Sequence, residues 1–269
     1  MKHVFLSAAC ACLLSSCTLS AQYIQVCRTS FDTGMKRTRD AITYEDANCV
    51  VTYNLWDKGG NIGFEFYNKT EHAILVHLDE TFLIINGIAH DYFQNRTFSR
   101  STNRGMGEAD LSVSTTPSVA GGSSGSGSGT ANMRLFGRSV SHQEERLVVV
   151  PARSAKVFSE YAVSDSPVTS CALPAYPDRR EPKTLVFDRT SSPLVFSNRI
   201  SYHLTPSVTP VRIENEFFVS EVTNFGETQI MKRVPVDDCP DNRYVTRRVV
   251  SGAAPDKFFI PYRPVVSTY

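Results

Sequence analysis

The strictest constraint on this chain is the period-two alternation between Cys49 and Phe93. Ile62, Phe64 and Phe66 alternate with Gly63, Glu65 and Tyr67, and Ile74, Val76 and Leu78 alternate with Leu75 and His77. A period of two puts each apolar set on one face of a pleated strand, and the 3.6 period of a helix would scatter it. Turn residues separate the runs: Asp57-Lys58-Gly59-Gly60, Asn68-Lys69-Thr70-Glu71, and Asn86-Gly87 between Phe82–Ile85 and Ile88–Tyr92. Asn-Gly supplies the two positive-φ positions of a type I′ turn, so the last pair predicts a hairpin. The whole stretch is expected to form an antiparallel meander with one buried face.

The same pattern recurs along the chain. Gln22–Thr29 predicts a first strand with Ile24 and Val26 on one face, whereas the charged segment Lys36–Asp46 lacks a clean helical stripe and is expected to be a loop or a frayed turn. Leu147–Val150 and Lys156–Val163 come next. Thr184–Phe187, Leu194–Leu204, Val211–Thr223, Thr228–Val236, Arg243–Val250 and Phe258–Ile260 follow. No window reads as an amphipathic helix. About a dozen short strands between turn signals predict an all-β fold, an antiparallel β-sandwich of immunoglobulin-like or related type. Two segments interrupt it. Residues 100–141 are rich in Ser, Gly and Thr and are expected to form a long flexible insertion, because they cannot bury enough apolar surface to offset backbone ordering. Ser164–Pro182 holds four prolines and predicts a crossover between sheets. Residues 22–269 are thus expected to be one sandwich domain.

The N-terminus reads as a targeting segment. Lys2 precedes the uncharged apolar run Val4–Leu14, which is short of the roughly 20 residues needed to span a bilayer. Leu14-Ser15-Ser16-Cys17 resembles the lipobox of bacterial lipoproteins, in which the signal (here residues 1–16) is removed and the cysteine acylated. That resemblance implies a lipid on Cys17 and a tether over 17–21. Ordinary cleavage after Ala21 is the competing reading. Without Lys2 the body carries 27 basic and 27 acidic residues, a balance that argues against a nucleic-acid partner. Of seven cysteines, Cys10 and Cys12 leave with the signal, and Cys27, Cys49, Cys171 and Cys239 remain. An even number in an oxidising compartment predicts two disulfides, with Cys27–Cys49 and Cys171–Cys239 as the favoured pairing of three.

A search for catalytic residues finds no constellation. Gly121-Gly122-Ser123-Ser124-Gly125 satisfies G-x-S-x-G, yet a nucleophile elbow requires a preceding strand and a following helix. His77 and His90 fall on neighbouring predicted strands and can approach each other, or Asp79 and Asp91, but no metal-binding spacing accompanies them. No cofactor motif is present. Trp56 with Tyr53, beside the Asp57–Gly60 turn, is the one aromatic cluster at a strand end and the candidate ligand contact. Arg243, Arg247 and Arg248 form the clearest basic concentration and read as a solvated edge-strand face.

The lipobox, the segments CVVTYNLWDKGGNIGFEFYNKT and ETFLIINGIAHDYF, the Ser-rich insertion, SPLVFSNRISYHL and FFVSEVTNF together resemble an uncharacterised lipoprotein family of Bacteroidetes bacteria. The resemblance implies a cell-envelope location and no catalytic residues. Surface lipoproteins of that phylum often carry acidic residues just after the acylated cysteine; Thr18-Leu19-Ser20-Ala21-Gln22 has none, so the resemblance implies the periplasmic face of the outer membrane over the cell surface. The expected function is non-catalytic binding or scaffolding of an envelope protein, with the insertion as contact. Glycan binding or adhesion is the alternative and an envelope hydrolase the third.

Overall fold

The computed structural model describes residues 22–103, 137–159, 161–177, 182–238 and 243–264. The signal and tether, Cys17, Cys239, the G-x-S-x-G match and the middle of the Ser/Gly-rich insertion lie outside the described residues. Nearly all ordered backbone is strand, in antiparallel sheets that form a sandwich-like arrangement. Up to Tyr92 the strands are β1 (Tyr23–Phe31), β2 (Met35–Arg37), β3 (Ile42–Glu45), β4 (Cys49–Tyr53), β5 (Phe64–Asn68), β6 (Ile74–His77), β7 (Phe82–Ile85) and β8 (Ile88–Asp91). Then come β9 (Thr97–Asn103), β10 (Gly137–Gln143), β11 (Leu147–Val150), β12 (Ala155–Phe158) and β13 (Thr184–Val186). The chain closes with β14 (Val195–Leu204), β15 (Val211–Gly226), a single helical turn α1 (Glu227–Ile230), β16 (Met231–Asp238), β17 (Arg243–Val250) and β18 (Lys257–Tyr262).

The residues up to Tyr92 and from Leu147 onward form one unit, and Phe93–Arg146 a second. In the second, β9 and β10 pair over their full length from Thr97↔Gln143 to Asn103↔Gly137. The ends of the predicted insertion are therefore strand, a pairing hidden by their serine-rich composition. In the first unit the larger sheet runs β11-β6-β14-β15-β1-β18, with β13 on β15, β7 on β14 and β8 on β7. The smaller sheet runs β12-β5-β4-β3-β2, and β16 pairs β17 as a separate hairpin. The proline-rich segment carries the chain from β12 in the smaller sheet to β13 in the larger, as a crossover should.

Asn86 and Gly87 sit at φ 47° and 83°, and β7 and β8 close from Ile85↔Ile88 to Phe82↔Asp91 around them. The expected continuous meander, however, divides between sheets. β4 pairs β5 in the smaller sheet, but β6 leaves for the larger one and pairs β14 and β11. Asn68 fixes the departure point. Its buried amide nitrogen donates to the carbonyls of His72 (2.8 Å), Val150 (3.1 Å) and Pro151 (3.0 Å), and its oxygen accepts from the Thr70 amide (2.8 Å). A turn signal alone cannot distinguish a hairpin from a change of sheet.

Aromatic rings fill the space between the sheets. Tyr53 meets Phe217 edge-on at 5.2 Å, Phe66 meets Tyr202 at 5.4 Å, and Phe196 stacks on Phe217 at 5.4 Å. Each ring buried here contributes roughly 1.5–3 kcal/mol by removal from water. Lys36–Asp46 is neither a loop nor a frayed turn: β3 and most of β2 occupy it, β2 as the edge strand and β3 between β2 and β4, each with one buried inward residue, Met35 and Ile42. One inward residue per strand leaves no periodicity to detect.

Candidate ligand-binding site

Ile24 of β1 is buried as its alternation predicts, but so is the opposite face of the strand. Gln25, Cys27 and Thr29 are buried on it, and the register partners of Cys27, Val222 and Phe258, are fully buried. One row outward on the same face, Gln25 lies opposite Asn224 and Ile260. Gln25 and Asn224 are buried polar side chains, and each finds its partners in the proline-rich segment. Gln25 Nε2 donates to Asn224 Oδ1 (2.8 Å) and to the Val168 carbonyl (2.9 Å). The Val168 amide donates back to Gln25 Oε1 (2.7 Å), and Asn224 Nδ2 donates to the Pro174 carbonyl (2.9 Å). Prolines cannot extend a sheet ladder, so this segment is pinned by side chains instead of by backbone pairing.

An open cavity of about 570 Å³ lies between this pinned strap and the sheet. Val168, Leu173, Tyr176 and Tyr262 supply apolar and aromatic wall, Gln25 and Asn224 the floor, and Arg263 the only charged side chain among its described lining residues. Tyr23 stacks on Tyr262 with centroids 5.7 Å apart and contacts Tyr176 at 5.2 Å. Burial first, then the neighbouring Tyr23 and Tyr176, push the Tyr262 hydroxyl up to about 12. It therefore stays protonated at neutral pH, and it donates to the Ala175 carbonyl of the strap. Sequence reasoning missed this site. The available signal was the polar period-two set Gln25, Cys27, Thr29 facing a proline-dense segment that must be held by something.

The predicted ligand pair Tyr53 and Trp56 is separated. Tyr53 is fully buried, and its hydroxyl accepts from Asn215 Nδ2 at 2.8 Å. It is a core residue, placed inward by the alternation of β4. Trp56 is half-buried against Phe259 at 5.3 Å, in a smaller cleft of about 350 Å³ that Asp57, Glu227 and Arg248 also line. Arg248 is held by Glu227 at 2.9 Å.

The favoured disulfide between Cys27 and Cys49 is absent: both are buried free thiols, one in each sheet. Cys27 points toward Gln25 Oε1 (3.8 Å) and Cys49 toward the Tyr202 hydroxyl (4.0 Å). Burial pushes the Cys27 thiol up to about 12 and raises that of Cys49 further. Cys171 is an exposed free thiol on the cavity rim, and its proposed partner Cys239 lies outside the described residues. His77 does not meet His90. Its Nε2 lies 2.6 Å from Nδ1 of His203 on β14, one strand across. His90 instead faces the ring of Tyr161 at 6.2 Å.

Among the described residues, no group of three or more His, Cys, Asp or Glu could hold a metal ion, and no helix is long and apolar enough to cross a membrane. No family model, curated protein or solved structure matches the chain.

Proposed function

We propose that the protein is a lipid-anchored, non-catalytic binding module of the cell envelope, and that its ligand site is the cavity under the proline-rich strap. The observation that carries this reading is the cavity itself. Its volume falls within the range of small-molecule sites, and its wall is mostly apolar with a few fixed polar groups. Floor and strap bond to each other, so the cavity is preformed and a ligand need not order it. The Leu14–Cys17 segment supports a body held by acyl chains at Cys17, and the acid-free Thr18–Gln22 stretch supports the periplasmic face of the outer membrane. Two measurements test the reading. Mass analysis of the N-terminal peptide should find acylated Cys17; an unmodified terminus at Gln22 would remove the anchor. The neutral apolar dye N-phenyl-1-naphthylamine should bind the folded protein and slow alkylation of Cys171; saturating dye without protection of Cys171 would remove the site.

The Trp56 cleft favours a second reading, glycan binding. It combines a half-exposed indole with carboxylates at Asp57 and Glu227, the ring-plus-acid pattern suited to a sugar face and its hydroxyls. Trp56→Ala should then abolish binding of the whole protein to an envelope glycan array without altering its melting curve.

A further inference from the structure

We infer that the strap cavity selects apolar molecules carrying one anionic group, with Arg263 as the residue that reads the charge. This inference rests on the cavity being the ligand site, and it adds the ligand's chemical class. Three observations carry it. The cavity's described lining contains no acidic side chain, so none of those residues opposes an anion. Its polar floor is already occupied: Gln25 and Asn224 spend their amide groups on each other, on Val168 and on Pro174. A ligand's polar end therefore gains little by reaching inward. Finally, Arg263 is exposed at the rim and forms no ion pair with any carboxylate among the described residues. Its guanidinium is therefore available to a ligand, unlike those of Arg28, held by Glu221 and Asp256, of Arg199, held by Glu214, and of Arg212, held by Glu80.

The ligand orientation follows. An apolar body lies against Leu173, Val168 and the Tyr176 and Tyr262 rings, and the anionic group stays at the mouth, where the Arg263 guanidinium donates two parallel hydrogen bonds to it. Keeping the charge at the half-open mouth avoids the cost of burying it. The Tyr262 hydroxyl cannot serve as a second donor, because it is committed to Ala175.

Two dyes that share one aromatic body separate the charge from the cavity. 8-Anilinonaphthalene-1-sulfonate carries a sulfonate, and N-phenyl-1-naphthylamine is the same molecule without it. Both are titrated into the chain from residue 17 onward by fluorescence, with Cys171 alkylation as the reporter of location. The sulfonate dye should bind about ten-fold tighter to the native protein than to Arg263→Met, as expected for loss of a charge-assisted guanidinium contact at a solvent-exposed rim. Arg263→Lys should recover part of the loss, and added salt should weaken only the sulfonate dye. The neutral dye should bind native and Arg263→Met proteins alike. Arg263 is exposed, so an unchanged melting curve is expected for both variants. If both dyes protect Cys171 and the Arg263 variants change neither affinity, the cavity stands and the charge preference is overturned. If neither dye protects Cys171, the ligand site itself is overturned and this inference falls with it.

Discussion

Gln25→Leu isolates what holds the strap on the sheet. The substitution keeps the side-chain volume, so no large cavity opens, but it removes the bonds to Val168 N, Val168 O and Asn224 Oδ1 at 2.7, 2.9 and 2.8 Å. Each is worth about 1 kcal/mol net. Val168 is only half-buried, so water can replace part of what its backbone loses, and a total near 2 kcal/mol is expected. The loss should fall on the strap more than on the sheets, because β1 keeps its ladders to β15 and β18. Hydrogen exchange read by mass spectrometry separates the two. Amides of 165–177 should exchange about 30-fold faster, the equivalent of 2 kcal/mol in a local opening equilibrium, while peptides of β14 and β15 keep their protection. Pairing Gln25→Leu with Asn224→Leu should cost less than the sum of the two, since each single change strands the other's amide. Unchanged exchange over 165–177, or an equal loss across strap and sheets, would refute the clamp.

Other perturbations follow from the same structure. Of Cys27, Cys49 and Cys171, only Cys171 should react with iodoacetamide in the native protein at pH 8.5, because burial holds the Cys27 thiol near 12 and that of Cys49 still higher; a Cys27–Cys49 crosslinked peptide in non-reducing digests would contradict the fold. Gly60→Ala should destabilise by about 2 kcal/mol or more, since φ is +82° there and the new Cβ would sit 3.0 Å from the Phe258 ring; a melting temperature within a degree of the native value would refute this. Burial and the neighbouring His77 lower the affinity of His203 for a proton in the folded state. The unfolded chain therefore takes up that proton first, so stability is full above about 6.5 and declines as pH falls through and below it. Melting temperatures at pH 7.5 and 5.5 should differ less in His203→Gln than in the native protein. Glu80, Arg212 and the paired His77 are the charged or titratable neighbours to hold in view when reading that result.

What was legible in the sequence was whatever repeats with a period of two over several residues. β11 and β17 lie where the alternation and apolar runs put them, and Asn86-Gly87 forms the turn its two residues require. Pairing was less legible than strand identity. Nothing in Asn68-Lys69-Thr70-Glu71 announces a change of sheet, because the deciding bonds reach Val150 and Pro151, far along the chain. β2 and β3 were hidden by shortness. The strap cavity was hidden for a different reason: hydrophobicity is the mark of a buried face, and on β1 it points to Ile24 and Val26, whereas the opposite face, also buried, carries Gln25 and Thr29. A buried amide satisfied by a distant strap looks, in sequence, like any exposed one. Tyr53 misled in the opposite direction, since a ring beside a turn can equally be core.

The position of the polar row also explains how an open cavity can exist here without weakening the fold. On the inner face of β1 the sequence passes outward from Cys27, flanked by Val222 and Phe258, to Gln25, flanked by Asn224 and Ile260. The first row is fully buried hydrophobic core; the second is where side-chain amides take over and hold a segment that has no sheet partner of its own. Opening of the strap therefore costs the Gln25 and Asn224 bonds and the Tyr262–Ala175 contact, but none of the aromatic packing around Phe217 and Tyr202. Local opening and global unfolding are separated by chemistry as well as by position. Residues of the cavity wall such as Leu173, Tyr176 and Arg263 can then be substituted at a cost confined to the strap, while the sandwich beneath them keeps its stability.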